Sequence, residues 1–353
     1  MDNECIVLGI MSGTSLDGID LALCRFIIQD RRWEYEILEA ETVPYETSLK
    51  EKLSGSIWSN AAEFVELDTE LGRVIGRECL KFISKTKIEP HYIASHGHTV
   101  FHQPQRGITT QIGNGAVIAA LTGVTTICDF RSTDVALGGE GAPLVPVGDD
   151  LLFSSYDGCL NLGGFSNISF HAGGKRKAFD ISPCNLPLNF LSGRLGYEFD
   201  CDGKTAASGK INEPLFMALN GLAFYATEPP RSLSAEWLHD CFLPVVDSFK
   251  LNTADLLCTV TEHIAFQIAR ELGLIEGIRI LTTGGGAKNG YLIQRIRHLT
   301  SKEIIIPEER IVDYKEALVF AFLGCLRMRN EINCYSSVTG ADRDSCSGTV
   351  YLG

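Results

Sequence analysis

No stretch of the 353-residue chain approaches the roughly 18 consecutive apolar residues that a membrane-spanning helix needs. The chain opens with Asp2 and Glu4 and then turns apolar, without the basic start and cleavage site of a signal peptide, so a cytoplasmic protein is expected. Lys and Arg are nowhere concentrated, and 31 of them stand against 44 Asp and Glu for a net charge of −13. That excludes nucleic acid as the expected main partner. It does not exclude ATP, because a phosphate site is local and can be built from backbone N–H groups. The chain has 12 cysteines but no Cys-x-x-Cys pair, which reads as reduced, mostly buried thiols rather than a disulfide framework. What is present is ordinary for a soluble globular protein: 45% hydrophobic and 21% charged residues. At about 100–200 residues per domain the length suggests two domains.

The most informative stretch is Gly9-Ile10-Met11-Ser12-Gly13-Thr14-Ser15-Leu16-Asp17-Gly18-Ile19-Asp20. An apolar run, Cys5 to Leu8, leads in, and a second, Leu21 to Ile28, leads out. The pattern predicts a hairpin whose tip is rich in Gly, Ser, Thr and Asp. Glycine lets the tip turn its backbone N–H groups outward, and the hydroxyls add donors, so the tip can wrap an anion such as a nucleotide's phosphates. An ordinary Gly/Ser turn is the alternative, but the polar tract is longer than a turn requires.

Tyr35 to Val43 alternates as a third strand, and Ser59 to Thr86 carries apolar residues at helical spacing. A short strand, Tyr92 to Ser95, precedes His96-Gly97-His98-Thr99-Val100-Phe101-His102. Three histidines invite a zinc reading. With no Cys or carboxylate beside them, a polar ligand loop at a strand's carboxyl end fits better. Further on, Asp129-Phe130-Arg131-Ser132-Thr133-Asp134 offers Arg131 as a fork for a carboxylate or a phosphate oxygen. An ion pair with Asp129 or Asp134 is the competing role. The tract Gly138–Pro143 breaks regular structure and is the expected interdomain crossing.

The second half repeats the logic. Gly158 to Leu162, a turn at Gly163-Gly164-Phe165-Ser166-Asn167, and Ile168 to His171 form another glycine-tipped hairpin. Asp180 ends a short strand ahead of a helix starting at Pro183-Cys184-Asn185; it can be a catalytic base or merely that helix's N-cap. Asp200–Thr205 ends in Gly-Lys-Thr but lacks the first glycine of a P-loop. Glu262 and His263 lie in a helix, Leu256 to Leu272, as a buried polar contact rather than a metal site. Thr283-Gly284-Gly285-Gly286-Ala287-Lys288-Asn289 joins a strand to a helix; its glycines either admit a flat ring or phosphate or make a tight βα turn. Glu316 lies near the start of a helix running from Asp313 to Met328. It can face a ligand or simply favour the helix dipole.

Met11–Asp20 resembles the signature of the anhydro-N-acetylmuramic acid kinases, cell-wall-recycling enzymes of the actin/hexokinase/Hsp70-like ATPase superfamily. Other tracts resemble family motifs in the same order: Ser95–His102 (with His98 where Gln is usual), Asp129–Ala136, Gly138–Pro146, Asp180–Asn185 (Ile181, Ser182 and Cys184 depart from the usual pattern), Asp200–Gly209 and Glu316-Ala317. The resemblance spans residues 9 to about 345. It implies an α/β protein of two actin-like (ribonuclease H-like) domains, 1–133 with about 335–353 and 134–334, closing on ATP held in a cleft between them. By the same match, Asp180 is the general base. Gly13, Thr14, Ser15, Leu16, Asp17, Gly18, Asp20, Gly163, Gly164, Gly284, Gly285, Gly286 and Asn289 bind the nucleotide. His98, Arg131, Asn185 and Glu316 face the sugar. Superfamily kinases usually place an Asp where Met11 stands, so Asp17 or Asp20 becomes the candidate holder of Mg²⁺.

The implied reaction phosphorylates 1,6-anhydro-N-acetylmuramic acid while water opens its anhydro bridge. Kinase activity on another amino sugar or hexose, and a non-catalytic ATP-binding regulator or chaperone, are the alternatives. The expected partners are the sugar and ATP, with neither nucleic acid nor membrane; a homodimer is compatible with this reading.

Overall fold

The computed structural model describes residues 4–13, 16–30 and 32–353, so Thr14 and Ser15 of the first hairpin lie outside the described residues. In chain order the elements used below are β1 (Glu4–Met11), β2 (Gly18–Gln29), β3 (Arg32–Pro44), α1 (Ala61–Thr86), β4 (Tyr92–Ser95), β5 (His98–Gln103), β6 (Ile108–Ile112), α2 (Gly115–Thr122) and β7 (Thr126–Cys128). There follow β8 (Gly158–Leu162), β9 (Phe165–Ala172), β10 (Lys175–Pro183), α3 (Asn185–Gly193), α4 (Thr253–Leu272), β11 (Arg279–Thr283), α5 (Gly290–Leu299), β12 (Glu303–Ile305), α6 (Glu309–Met328) and β13 (Thr349–Tyr351). Two compact units result: residues 1–152 with 314–353, and residues 153–313.

The first unit is built on a sheet of order β13-β7-β4-β1-β2-β3. β1, β2 and β3 form an antiparallel meander, and β4 and β7 extend it in parallel from β1. The hydrophobic repeat of α1 buries Leu67, Leu71, Ile75, Cys79 and Phe82, spaced three or four apart, against Leu8, Ile10, Leu21 and Leu23 of the sheet. Asn60 starts this helix with a reciprocal capping box to Glu63, and Lys87 in the left-handed region ends it. Gly9 is required by packing. A Cβ there would lie 2.0 Å from the Ala317 carbonyl oxygen, so α6 rests directly on the β1 backbone.

The second unit repeats the plan, with order β10-β9-β8-β11-β12. β8, β9 and β10 make the antiparallel meander, and β11 and β12 add in parallel from β8. Its core gathers Leu160, Leu162, Ile168 and Ile181 of the strands with Leu257, Val260, Ile264 and Ile268 of α4. The glycine-tipped hairpins β1–β2 and β8–β9 therefore occupy the same topological place, each in its own unit.

Several boundaries differ from the sequence reading. The units divide at 152/153 and 313/314, not at 133/134 and 334/335. Asp134 is fully buried and accepts from Thr339, Cys334 and Gly141, and the Asp149 carboxylate pairs with Lys315. These bonds tie 134–152 and 314–334 into the first unit and make Gly138–Pro143 part of its packing rather than a crossing. β2 begins at Gly18 rather than Leu21, because ladder pairing carries the strand into the polar tract as far as Met11↔Asp20. α6 begins at Glu309, so Glu316 sits two turns inside the helix, where the dipole reading has no force. No helix among the described residues is long and apolar enough to cross a membrane.

Candidate active site

In the second unit, register brings four polar residues into one row. Thr283 of β11 faces Asn161 of β8, Asn161 faces Asn167 of β9, and Asn167 faces Asp180 of β10. Directly opposed residues share a sheet face, so these side chains line a single polar strip. The pairing shifts between Asp180 and Ser182, a bulge of the kind that re-aims side chains at the end of a ladder. Asp180 is not a helix N-cap. α3 starts five residues later with Cys184 at its cap position and no side-chain cap.

Asp180 is half-buried. The Leu233 N–H donates to its Oδ2 at 2.8 Å. Burial pushes the carboxyl up to about 6, against the opposing pull of the Leu233 N–H and of Arg231. A carboxylate so tuned is ionised at neutral pH yet basic enough to accept a proton.

The glycine turns of this unit meet near the row. The carbonyl of Gly163 accepts from the Asn185 N–H, and that of Gly164 accepts from Cys184 and Leu186, so the hairpin tip sits on the start of α3. A trans peptide sets its N–H opposite its C=O, so the N–H groups of Gly164 and Phe165 face away from that helix. Asn185 Nδ2 donates to the Leu162 carbonyl at 3.0 Å, bracing the tip from below. A Cβ at Gly284 would strike Asn161 Oδ1 at 2.5 Å, and one at Gly286 would strike Leu162 at 2.8 Å; one at Gly285 would meet only Asn185 Nδ2 at 3.5 Å. Two of the three glycines are thus accounted for by close packing, and Gly285 alone keeps an open side. Asn289 caps α5 by accepting from Leu292, while the Asp200–Gly203 tract packs beneath it, Asp202 accepting from Gly290.

The first unit holds the other group. Arg131 donates through Nε and Nη2 to Nε2 of His96, at 3.0 and 2.9 Å, and through Nη1 to the Gly141 carbonyl at 2.7 Å. A guanidinium only donates, so His96 Nε2 is the acceptor and its Nδ1–H donates to the Gly97 carbonyl. Burial, then the neighbouring Arg131, holds His96 well below its usual value, which keeps it neutral. The ion pairs that were the competing role for Arg131 are not formed among the described residues. Asp134 serves Thr339, Cys334 and Gly141, while Asp129 accepts from Ser132. Among the described residues Arg131 therefore has only neutral acceptors. Burial lowers it to about 10, and Glu316 is the leading charge in its favour.

His98 is buried with Nδ1 unpartnered among the described residues, and a backbone hydrogen bond joins it to Gly13. Burial lowers it, which favours a neutral ring. The histidine tract and the first hairpin tip are therefore neighbours. Glu316 opens onto solvent, yet the protein around it desolvates the carboxyl and raises it; Asp20 adds to the rise, and Arg131 and Lys315 oppose it. Asp20, half-buried on β2, accepts from Thr42 at 2.6 Å, whereas Asp17 is exposed at the tip. Gly18 has a packing role, since a Cβ there would lie 2.4 Å from the Val43 carbonyl oxygen. Leu16, at φ 58°, packs its side chain on the core, so it can serve a ligand through its backbone only. No cluster of three or more metal-binding side chains occurs among the described residues. Mg²⁺ on a nucleotide needs only one or two carboxylates beside phosphate oxygens and water, and Asp20 fits that demand better than Asp17.

The sequence reading quoted Asn167 and Thr283 within the two glycine tracts without giving either a role, and it passed over Asn161, although both asparagines flank Gly163-Gly164. Arg231 and Leu233 gave no signal. They follow a Pro-Pro pair, 51 and 53 residues from Asp180.

A three-strand meander continued by two parallel strands is present twice, each copy with a glycine-tipped hairpin. The chain belongs to the anhydro-N-acetylmuramic acid kinase family, which it matches over residues 5–353. It is 34% identical to the anhydro-N-acetylmuramic acid kinase of Xanthomonas oryzae pv. oryzae (strain MAFF 311018), over 99% of this chain and 98% of that one. Against the enzyme of the same name from Coxiella burnetii (strain Dugway 5J108-111) it is 32% identical over 98% and 97%. Among solved structures, the xylulose kinase of Rhodospirillum rubrum aligns with 92% of this chain and 89% of its own at a TM-score of 0.45 and 10% identity.

Proposed function

We propose that the protein uses ATP to phosphorylate 1,6-anhydro-N-acetylmuramic acid and opens the anhydro ring in the same reaction. Family membership supports the reaction, and the half-buried Asp180 at the end of the row Thr283, Asn161 and Asn167 is the observation that carries the mechanism. Water attacks the anomeric carbon as Asp180 takes its proton. The carbon–oxygen bond of the bridge breaks, and the freed O6 takes the γ-phosphoryl group, releasing ADP. The sum is sugar, ATP and water to N-acetylmuramate 6-phosphate and ADP, with the proton passing from Asp180 to solvent. The asparagine amides of the row offer donors and acceptors to the attacking water and the sugar hydroxyls. Arg131, held only by neutral partners, keeps its charge for the lactyl carboxylate that distinguishes this sugar. Gly13, Gly163, Gly164 and Gly285 are the backbone contacts we assign to the nucleotide. Mg²⁺, held at Asp20 through water or directly, would neutralise the phosphates. A cytoplasmic location suits a kinase that draws on ATP.

Turnover in ¹⁸O-labelled water tests the reading: label is expected on the anomeric hydroxyl and not in the phosphate. Label in the phosphate, or equal turnover of free N-acetylmuramate, would reject it. Asp180→Asn is expected to lower kcat by about 10³-fold or more, beyond the 10²–10⁴ usual for acid–base groups only if the base is indispensable. Activity should fall with decreasing pH below about 6, because that is where the raised carboxyl takes up its proton.

A further inference from the structure

The sequence segment with the least apparent purpose lies between the second unit's helices. Its bonds converge on one residue. The Arg231 carbonyl accepts from the Asp180 N–H at 3.0 Å, Arg231 Nε donates to the Asp180 carbonyl at 3.3 Å, and the Leu233 N–H reaches Asp180 Oδ2 at 2.8 Å. The segment thus grips β10 at its bulge, on backbone and side chain together. Arg231 is itself locked. Its Nη2 donates to Glu271 Oε1 at 2.8 Å, both side chains are about 95% buried, and Nη1 donates to the Thr227 carbonyl at 2.8 Å. Its guanidinium also lies over the rings of Phe179 and Phe224, 5.6 and 5.0 Å from their centroids. Glu271 takes a second cation, Arg270, at 2.7 Å.

We propose that Arg231 is the positioning residue of the base: it anchors the 231–233 segment that orients the Asp180 carboxylate, and it places a buried positive charge beside that carboxylate. This rests on the reading of Asp180 as the general base. The geometry suits the task, because a planar fork holding three acceptors at once fixes its segment in a way that a single ammonium cannot. The electrostatics agree: Arg231 is the charge that acts on Asp180, in the ionising direction. The other titratable groups on that side are Glu271 and Arg270, which are paired; His263, which burial keeps neutral and which bonds Asn220 and Tyr225; and Tyr225 itself, which burial keeps protonated. On β9 and β10 its immediate neighbours are the uncharged Asn167 and Ile181.

The test is the pH profile of kcat/KM for Arg231→Met and Arg231→Lys beside the parent protein. Arg231→Met is expected to move the acid limb upward by roughly 0.5–1 pH unit, since one unit corresponds to a plausible single-charge interaction. Its kcat should drop about tenfold even at high pH, because the carboxylate is also misaimed. Arg231→Lys should leave the limb in place and lose turnover at every pH, with KM for ATP unchanged. The ¹³C shift of the Asp180 carboxyl, assigned by its loss in Asp180→Asn, reads the same proton affinity without turnover. An unmoved limb and unmoved carboxyl titration in Arg231→Met would overturn the proposal. If that variant does not fold, a folded Arg231→Lys with parental kcat overturns it equally. Undiminished turnover in Asp180→Asn would instead remove the base reading itself, an outcome the Arg231 variants cannot mimic.

Discussion

At the scale of single residues, the chemistry depends on which charges are spent inside the protein and which are left over. Arg231 and Glu271 neutralise each other in the interior. Arg131 does not share that fate, since its partners are a neutral imidazole and a peptide carbonyl. On the proposed reading, in which Arg131 meets the sugar's carboxylate, removing it should weaken sugar binding rather than folding. Arg131→Ala is expected to raise KM for anhydro-N-acetylmuramic acid by about 10–200-fold, as loss of a charged contact of 1.5–3 kcal/mol implies. KM for 1,6-anhydro-N-acetylglucosamine, which lacks the lactyl carboxylate, should hardly move. Parallel losses on both sugars would show that the guanidinium does not read the carboxylate. Arg131→Lys should rescue little, because one ammonium cannot hold His96 and a carboxylate in the geometry of a fork. The sequence marked Arg131 and Asp180 as chemistry. It could not assign their partners, since Asp129, Asp134 and a helix N-terminus were all near in sequence and none took the competing bond.

At the scale of elements, the deciding contacts are close approaches of backbone to backbone. The meander of β1, β2 and β3 can lie under α6 only because Gly9 offers no side chain. Gly9→Ala would force a Cβ against a carbonyl oxygen that belongs to the helix backbone and cannot swing aside. Overpacking usually costs about 1–3 kcal/mol, and we expect the upper end or beyond, measured by denaturant unfolding. Asn60→Ala at the start of α1 is the control: it should cost about 1 kcal/mol through the lost cap and leave turnover intact. Strands and long helices were legible because their periodicity is local; α1 was expected from Ser59 and begins at Ala61. Their ends were less so. β2 starts three residues early, because pairing with β3 extends the strand past the point where propensity alone would stop it, and α6 starts four residues early.

At the scale of the whole molecule, the fold is one plan used twice. The same order of five strands, with the same parallel extension from the first strand, appears in both units, and β13 adds an antiparallel sixth beside β7 in the first. Each copy ends its first hairpin in glycines, which suits a ligand with several phosphates. ATP at a hundredfold excess over its Kd is expected to stabilise the protein by about 2.7 kcal/mol, seen as a rise in Tm. Asp180→Asn should keep that rise while losing turnover, since the base acts after binding. A variant that lost both would mean Asp180 supports the fold or the nucleotide rather than the reaction.

What the sequence determined by itself was the alternation of strands and helices, the two glycine-rich hairpins and the short list of groups able to do chemistry. These follow from side-chain periodicity and backbone freedom, which are written residue by residue. Only the tertiary structure decided that 134–152 and 314–334 belong with the first unit, and that Asn161, Asn167 and Thr283 stand in line with Asp180. It also decided that the 231–233 segment holds Asp180 by backbone and side chain, and that Arg131 has only neutral hydrogen-bond partners among the described residues. Register, burial and long-range pairing fix those facts, and each is a property of residues distant in the chain that meet only when it folds.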